Sequence, residues 1–276
     1  MRIDTHNHFW KYDPIRDSWI DDSMQVIRRD FLPQDLYPFL QQNKMDGCIA
    51  VQADQSEQET TFLLELAEEN NFIKGVVGWV NLIADDVEER LAFFTQYPKL
   101  KGIRHIVQAE SDDFVLRKDF QNGISHLNKF NLIYDILIYP SQIANSIKLV
   151  EKFPDQTFVL DHIAKPDIQN HQILQWKKDI TTLASYPNVY CKVSGLVTEA
   201  SWNNWKQEDF IPYLDVIFEV FGVERIMFGS DWPVCLLAAK YREVINIVEQ
   251  YLTRLSKVEQ DQVMGKNAIQ VYKIEK

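Results

Sequence analysis

Short apolar runs and helical patterns alternate along this chain, and the alternation repeats eight times within 276 residues. That recurrence constrains the fold more than any single motif. The strand-like runs fall at residues 2–10, 48–52, 73–80, 100–106, 132–138, 158–162, 189–193 and 225–231. They are short, apolar and several are rich in valine and isoleucine. Between them lie stretches with helical spacing. Val244, Val248, Tyr251 and Leu255, at i, i+4, i+7 and i+11, put one apolar stripe on a helix over 241–255. Strands that alternate with helices predict a parallel sheet. Eight such units in a chain of this length predict a (β/α)8 barrel. No linker or composition shift divides residues 1–276, so the expectation is a single α/β domain. An open doubly wound sheet is the alternative, but no Gly-x-Gly-x-x-Gly follows the first strand. The tail, 256–272, reads as one further amphipathic helix.

In a barrel of this kind the functional groups sit where the strands end. The polar residues at those ends are therefore the candidates. Strand one offers His6 and His8, which share a face because side chains alternate along a strand. Strand two offers Gln52 and Asp54, strand three Asn81, and strand four Arg104 and His105. Strand five offers Tyr134 and Asp135, and strand six Asp161 and His162 with Lys165-Pro166 close behind. Strand seven offers Lys192 and Ser194, and strand eight Asp231. Four of the six histidines fall at strand ends; His126 and His171 do not, and are assigned no role. Paired imidazoles near a carboxylate suit metal binding or proton transfer. Arg104 also fits an ion pair inside the barrel. Lys192 is expected to snorkel outward, and Asp161, one residue before His162, to face away from it in a structural hydrogen-bonding role. Trp10, Trp19 and Trp232 lie in strand-end loops, whereas Trp79, Trp176, Trp202 and Trp205 are expected to pack.

Lys and Arg number 29 against 40 Asp and Glu, a net charge of 29 − 40 = −11. That argues against nucleic acid or an anionic membrane as partner. No apolar run approaches the length of a membrane span. The first eight residues carry charge and histidine where a secretory leader has an apolar core. Cys48, Cys191 and Cys235 are widely spaced, as free thiols in a reducing cytoplasm would be. Residues 11–35 form a long connection rich in aromatic and acidic groups, which predicts a lid or binding loop.

Three motifs together resemble the amidohydrolase superfamily: His6-x-His8-x-Trp10, Leu160-Asp161-His162-Ile163-Ala164-Lys165-Pro166, and Phe228-Gly229-Ser230-Asp231-Trp232-Pro233. The run His8-Phe9-Trp10-Lys11-Tyr12-Asp13-Pro14, then Trp19-Ile20 and Arg29-Asp30-Phe31-Leu32-Pro33, resembles its sugar-lactone-hydrolysing branch. That branch is of the L-fuconolactonase and L-rhamnonolactonase type. Gly102-Ile103-Arg104-His105 and Gly265-Lys266-Asn267-Ala268 are similar too, so the likeness runs nearly end to end. It implies a barrel hydrolase in which Asp231 activates water and His162, His6 and His8 complete the polar centre. The chain departs from two-metal members of the superfamily. Strand four offers Arg104-His105 where they place a bridging lysine or glutamate, and strand five offers Tyr134-Asp135 where they place a histidine. A single divalent ion, zinc by ligand type, held by His6, His8 and Asp231, and metal-independent catalysis both stay open.

Lactone hydrolysis needs an activated water, a polarised carbonyl and a proton for the departing ring oxygen. Asp231 is expected to be the base. Arg104 is expected to stabilise the oxyanion or the new carboxylate, and His105 or His162 to return the proton. Trp10, Trp19 and Trp232 are expected to face the sugar, and Gln52 and Asn81 to bind its hydroxyls. The implied partner is a small sugar lactone; no pattern in the chain specifies an oligomeric state. Two rival readings are metal-dependent decarboxylation, as in a related branch, and a non-catalytic metabolite-binding barrel. The joint presence of Asp231, His162 and the His6/His8 pair favours catalysis.

Overall fold

Each of the short apolar runs becomes a strand, because residues buried on both faces leave no polar side to turn to water. The computed structural model describes residues 1–275. Its strands are β1 (Ile3–Asn7), β2 (Gly47–Val51), β3 (Ile73–Gly78), β4 (Leu100–His105), β5 (Ile133–Ile136), β6 (Phe158–Leu160), β7 (Val189–Val193) and β8 (Ile226–Phe228). They lie in chain order in one eight-stranded sheet, each parallel to the next. Helices α1 (Pro33–Gln42), α2 (Glu57–Glu69), α3 (Val87–Phe94), α4 (Lys118–Leu127), α5 (Ile143–Lys152), α6 (Leu174–Ala184), α7 (Gln207–Phe221) and α8 (Tyr241–Leu252) follow the strands in turn. In α8 the predicted stripe is realised: Val244, Val248 and Tyr251 are buried while Arg242, Glu243 and Gln250 face solvent. The architecture is the (β/α)8 barrel that the alternation predicts.

The barrel closes at its mouth. β1 and β8 meet through a parallel bridge between Asn7 and Trp232. The amide of Asp231 donates to the His6 carbonyl at 2.9 Å, and that of His8 to the Trp232 carbonyl at 2.7 Å. Asp4, fully buried in β1, is the strut of this seam. Its Oδ1 accepts from the Ser230 amide at 2.8 Å and its Oδ2 from the Tyr241 hydroxyl at 2.9 Å.

The barrel interior has an apolar end and a charged part. Ile3, Ile49, Val77, Ile133, Val159 and Met227 form one cluster with Ala268, Val271 and Tyr272 of the C-terminal tail. The tail therefore stops the barrel. It is not the continuous helix expected from its pattern. It forms α9 (Lys257–Asp261) and α10 (Asn267–Val271), separated by a wider turn at Gln262–Lys266. Gly265 in that turn lies so close to the Met1 carbonyl that an added Cβ would come within 2.1 Å of it. The expected lid, residues 11–35, is pinned at its base, where Trp10 and Phe31 exchange both backbone hydrogen bonds at 2.9 Å.

Lys192 does not snorkel outward. Its side chain is wholly buried inside the barrel, where Nζ donates to Asp135 and lies 3.0 Å from Asp161 Oδ1. Burial works against this ammonium, but the charges of Asp135 and Asp161 outweigh it and raise its pKa. Removing one member of a buried ion cluster leaves the others uncompensated, at a cost of about 3–5 kcal/mol. Lys192→Met should therefore lose about that much stability in urea unfolding. The exposed Lys178→Met should change it by no more than about 0.5 kcal/mol. Equal effects of the two substitutions would contradict the buried cluster.

Candidate active site

The seam brings three imidazoles around one carboxylate. Asp231 Oδ1 lies 3.4 Å from His8 Nε2, 3.9 Å from His6 Nε2 and 4.0 Å from His162 Nε2. All four side chains are buried or nearly so. Strand alternation points His6 and His8 the same way, with ring centroids 4.9 Å apart. Asp231 follows β8 in a left-handed conformation with φ 60°, which turns its carboxylate over the barrel.

Strand six reaches the site by an unusual route. His162, Ile163, Ala164 and Lys165 all have positive φ, at 54°, 48°, 59° and 48°. None is glycine, and each such residue costs roughly 1–2 kcal/mol. Strain of this kind persists where the surroundings over-determine the backbone. Here the left-handed turn breaks strand alternation immediately after β6. Asp161 and His162 consequently both join the centre, although adjacent strand residues should face opposite ways. Gly195 makes room for the ring: at its φ of 65°, an added Cβ would lie 2.7 Å from His162 Nδ1.

Polar contacts hold the three rings in place. His8 Nδ1 donates to the Val51 carbonyl at 2.8 Å, which turns Nε2 to the centre, 3.4 Å from Asp231 Oδ1. His6 Nε2 lies 3.2 Å from Arg104 Nη1, and its Nδ1 lies 3.3 Å from both Asp161 Oδ1 and Lys192 Nζ. His162 Nδ1 pairs with the Ser194 hydroxyl at 2.9 Å.

Burial pushes the Asp231 carboxyl up, but His162, His8 and the Lys165 ammonium outweigh it and hold it below 3.8. Asp231 is therefore ionised at neutral pH. Burial depresses His6 and His162 well below 6.5, against the pull of nearby carboxylates, so both are neutral. Burial also raises Asp161, but Lys192, His6 and Arg104 overcome it and keep that carboxylate charged. Burial lifts Asp135, whose register partner on β4 is Arg104, against the pull of the Lys192 ammonium.

Several expected site residues are used elsewhere. Arg104 enters the barrel, but its fork is engaged. Nη1 donates to Asp161 Oδ2 at 3.1 Å, and Nη2 donates to the side-chain oxygen of Gln52 at 3.1 Å and to the Gln52 carbonyl. Gln52 is fully buried and gives its own amide hydrogen to the Arg104 carbonyl. Alternation along β4 sends His105 the opposite way from Arg104. It stacks on Phe114, accepts from the Trp79 indole at 3.4 Å, and has Nε2 3.0 Å from Glu110 Oε1. Trp232 is 0% and Trp10 2% exposed, so neither offers a free ring face. Trp19 does, being 45% exposed above the edge of Trp10. Asn81 is exposed, its side-chain oxygen accepting from the Ile83 amide. The structural hydrogen-bonding role expected of Asp161 is met by Arg104, but sequence reasoning missed that it faces the centre, and missed the roles of Lys192 and Ser194. The i, i+2 spacing of Lys192 and Ser194 was the available signal that both share His162's side of the barrel.

A model of the amidohydrolase family matches residues 3–274. The chain belongs to that family. The L-fucono-1,5-lactonase of Burkholderia multivorans is 39% identical to this amidohydrolase, over 99% of this chain and 96% of the relative. A second L-fucono-1,5-lactonase, from Burkholderia ambifaria, is 32% identical over 100% of this chain and 97% of that protein. A crystal structure of a Burkholderia multivorans amidohydrolase with bound zinc superposes with a TM-score of 0.97 at 39% identity, covering all of both chains. Among the described residues no helix is long and apolar enough to cross a membrane.

The depressed pKa of His162 means that it stays neutral as pH falls through 6.5, where a free imidazole takes up its proton. In an NMR titration of the metal-free protein, its ring signals should hold still through that pH and shift only in more acid solution. A midpoint near the free value would contradict the environment described.

Proposed function

We propose that this amidohydrolase opens a sugar lactone to the free aldonic acid, with Asp231 as general base for the attacking water. One observation carries the chemistry: an ionised, buried carboxylate lies at the focus of three imidazoles, at the mouth of the barrel. A base must be deprotonated at working pH and within reach of its water, and Asp231 meets the first condition by its charge environment. The substrate class rests on full-length similarity to two L-fucono-1,5-lactonases. L-Fucono-1,5-lactone is the first candidate, with L-rhamnono- and L-galactonolactone as five- or six-carbon alternatives. The same similarity favours hydrolysis over decarboxylation. The exposed ring of Trp19 supports a role in meeting a sugar face, and the three buried free thiols support a cytoplasmic setting.

The residues present fit a single zinc ion. One nitrogen from each of His6 and His8 and one oxygen of Asp231 lie within 4.8 Å of one another, and all three groups are buried. Two imidazoles and a carboxylate are a zinc-type donor set. His8 Nε2 and Asp231 are free to bind, whereas His6 Nε2 would exchange its contact with Arg104 for the ion. A bound zinc would supply Lewis-acid polarisation of the lactone carbonyl.

Three measurements test this reading. Acid release from stereochemically distinct aldonolactones should show turnover of L-fucono-1,5-lactone, with phosphotriesters and amides inert; carbon dioxide release from an aromatic acid in place of lactone turnover would overturn it. Asp231→Asn should lower kcat by about 10²–10⁴-fold with the fold retained. Elemental analysis should find about one zinc per chain, lost in His8→Ala. Full activity in chelator at substoichiometric metal would reject the ion and leave the histidines acting directly.

A further inference from the structure

The backbone of the left-handed turn that carries His162 is pinned. The Lys165 amide donates to the His162 carbonyl at 2.8 Å. Trp176 of α6, expected to pack, also donates its indole N–H to the Ile163 carbonyl at 2.9 Å. What the backbone leaves open is the rotation of the imidazole and the place of its ring hydrogen. The ring packs on His6, with centroids 4.3 Å apart, and on Gly195, which has no side chain to hold it. Its one side-chain hydrogen-bond partner among the described residues is the Ser194 hydroxyl, 2.9 Å from Nδ1.

Ser194 is 1% exposed and makes no other side-chain hydrogen bond among the described residues. A hydroxyl has one hydrogen to give, and a buried one without an acceptor is costly. If Nδ1 carried the ring hydrogen, Ser194 could only accept, and its own hydrogen would have no partner. If Nδ1 offers its lone pair, the hydroxyl donates to it and both groups are satisfied. Charge points the same way. His162 Nε2 lies 4.0 Å from Oδ1 of the Asp231 carboxylate, and an anion there favours hydrogen on Nε2 over a lone pair. That distance is too long for a direct hydrogen bond, so the N–H is left for an oxygen that enters the centre. His8 is arranged the opposite way, its Nδ1 hydrogen given to the Val51 carbonyl.

We propose that Ser194 is a positioning residue: its hydroxyl donates to His162 Nδ1 and so holds the Nε2–H of that ring aimed into the centre, as a hydrogen-bond donor to the lactone carbonyl oxygen. The proposal rests on the lactonase reading. As water adds to the carbonyl carbon, the carbonyl oxygen gains negative charge, and a donor already oriented toward it need not reorganise. No proton leaves the ring. A nitrogen that bears a hydrogen does not ligate a metal, so Ser194 also keeps His162 apart from the His6, His8 and Asp231 donor set.

Two measurements test this role, with circular dichroism as the folding control. The first is a double-mutant cycle on L-fucono-1,5-lactone. Ser194→Ala should lower kcat about 10–100-fold, with a smaller change in KM. In the His162→Ala background the same change should alter kcat by less than about threefold, because the hydroxyl acts through that ring. An unchanged kcat in Ser194→Ala, or its full loss repeated without the imidazole, would overturn the proposal. The second is ¹⁵N NMR of the metal-free protein, with the His162 signals identified by their absence in His162→Ala. Hydrogen on Nε2 and none on Nδ1 is expected; hydrogen on Nδ1 would overturn the proposal, whether or not the variants fold. Absence of lactone turnover by wild type would sink the lactonase reading, and the ring hydrogen would still decide whether Ser194 donates.

Discussion

The hydrogen bonds that close the barrel between β1 and β8 are the constraint on which the site depends. The Asp231 amide reaches the His6 carbonyl and the His8 amide reaches the Trp232 carbonyl. The backbone of each catalytic candidate is thereby a partner of the other. A parallel barrel must join its first and last strands, and this one does so with the residues proposed to carry the chemistry. Asp4 reinforces the seam from below, binding the Ser230 amide and the Tyr241 hydroxyl. Positioning and closure are one structural event, so the proposed base needs no flexible loop to bring it to the histidines.

Next to that seam lies a cluster of opposite charges: Lys192 and Arg104 with Asp135 and Asp161, all at most 3% exposed. Taking such groups out of water is costly, and their mutual attraction offsets the cost only with close geometry. What the cluster does for the site is orient His6. Asp161 faces Nδ1 and Arg104 faces Nε2, so both edges of the ring are fixed. Arg104 is an anchor for this reason. Its fork is committed to Asp161 and Gln52.

The barrel was legible because its signal is local and periodic. Eight alternations need no knowledge of which strand meets which, and the strand-end rule then located His6, His8, His162 and Asp231. What remained hidden depends on direction rather than position. His105 and Arg104 are neighbours at one strand end, and only the phase of β4 decides which enters the barrel. Asp161 and His162 defeat the alternation rule because the backbone turns left-handed between them and Lys165. Lys192 was misread because its partners, Asp135 and Asp161, come from other strands. Trp10 and Trp232 occupy strand-end loops as expected, yet the loop layer closes over them with Phe9 and Phe31. Aromatic residues at a barrel mouth can roof the core as readily as they bind a sugar.

The central claim is that this arrangement drives water onto the carbonyl carbon of a lactone. Hydrolysis of L-fucono-1,5-lactone in ¹⁸O-enriched water tests it most directly, with mass spectrometry of the acid fragmented to separate its carboxylate from its hydroxyl oxygens. Attack at the carbonyl places the label in the carboxylate and leaves the former ring oxygen unlabelled. Label in the hydroxyl that was the ring oxygen would mean attack at the alkyl carbon, and would contradict the roles assigned to Asp231 and its imidazoles.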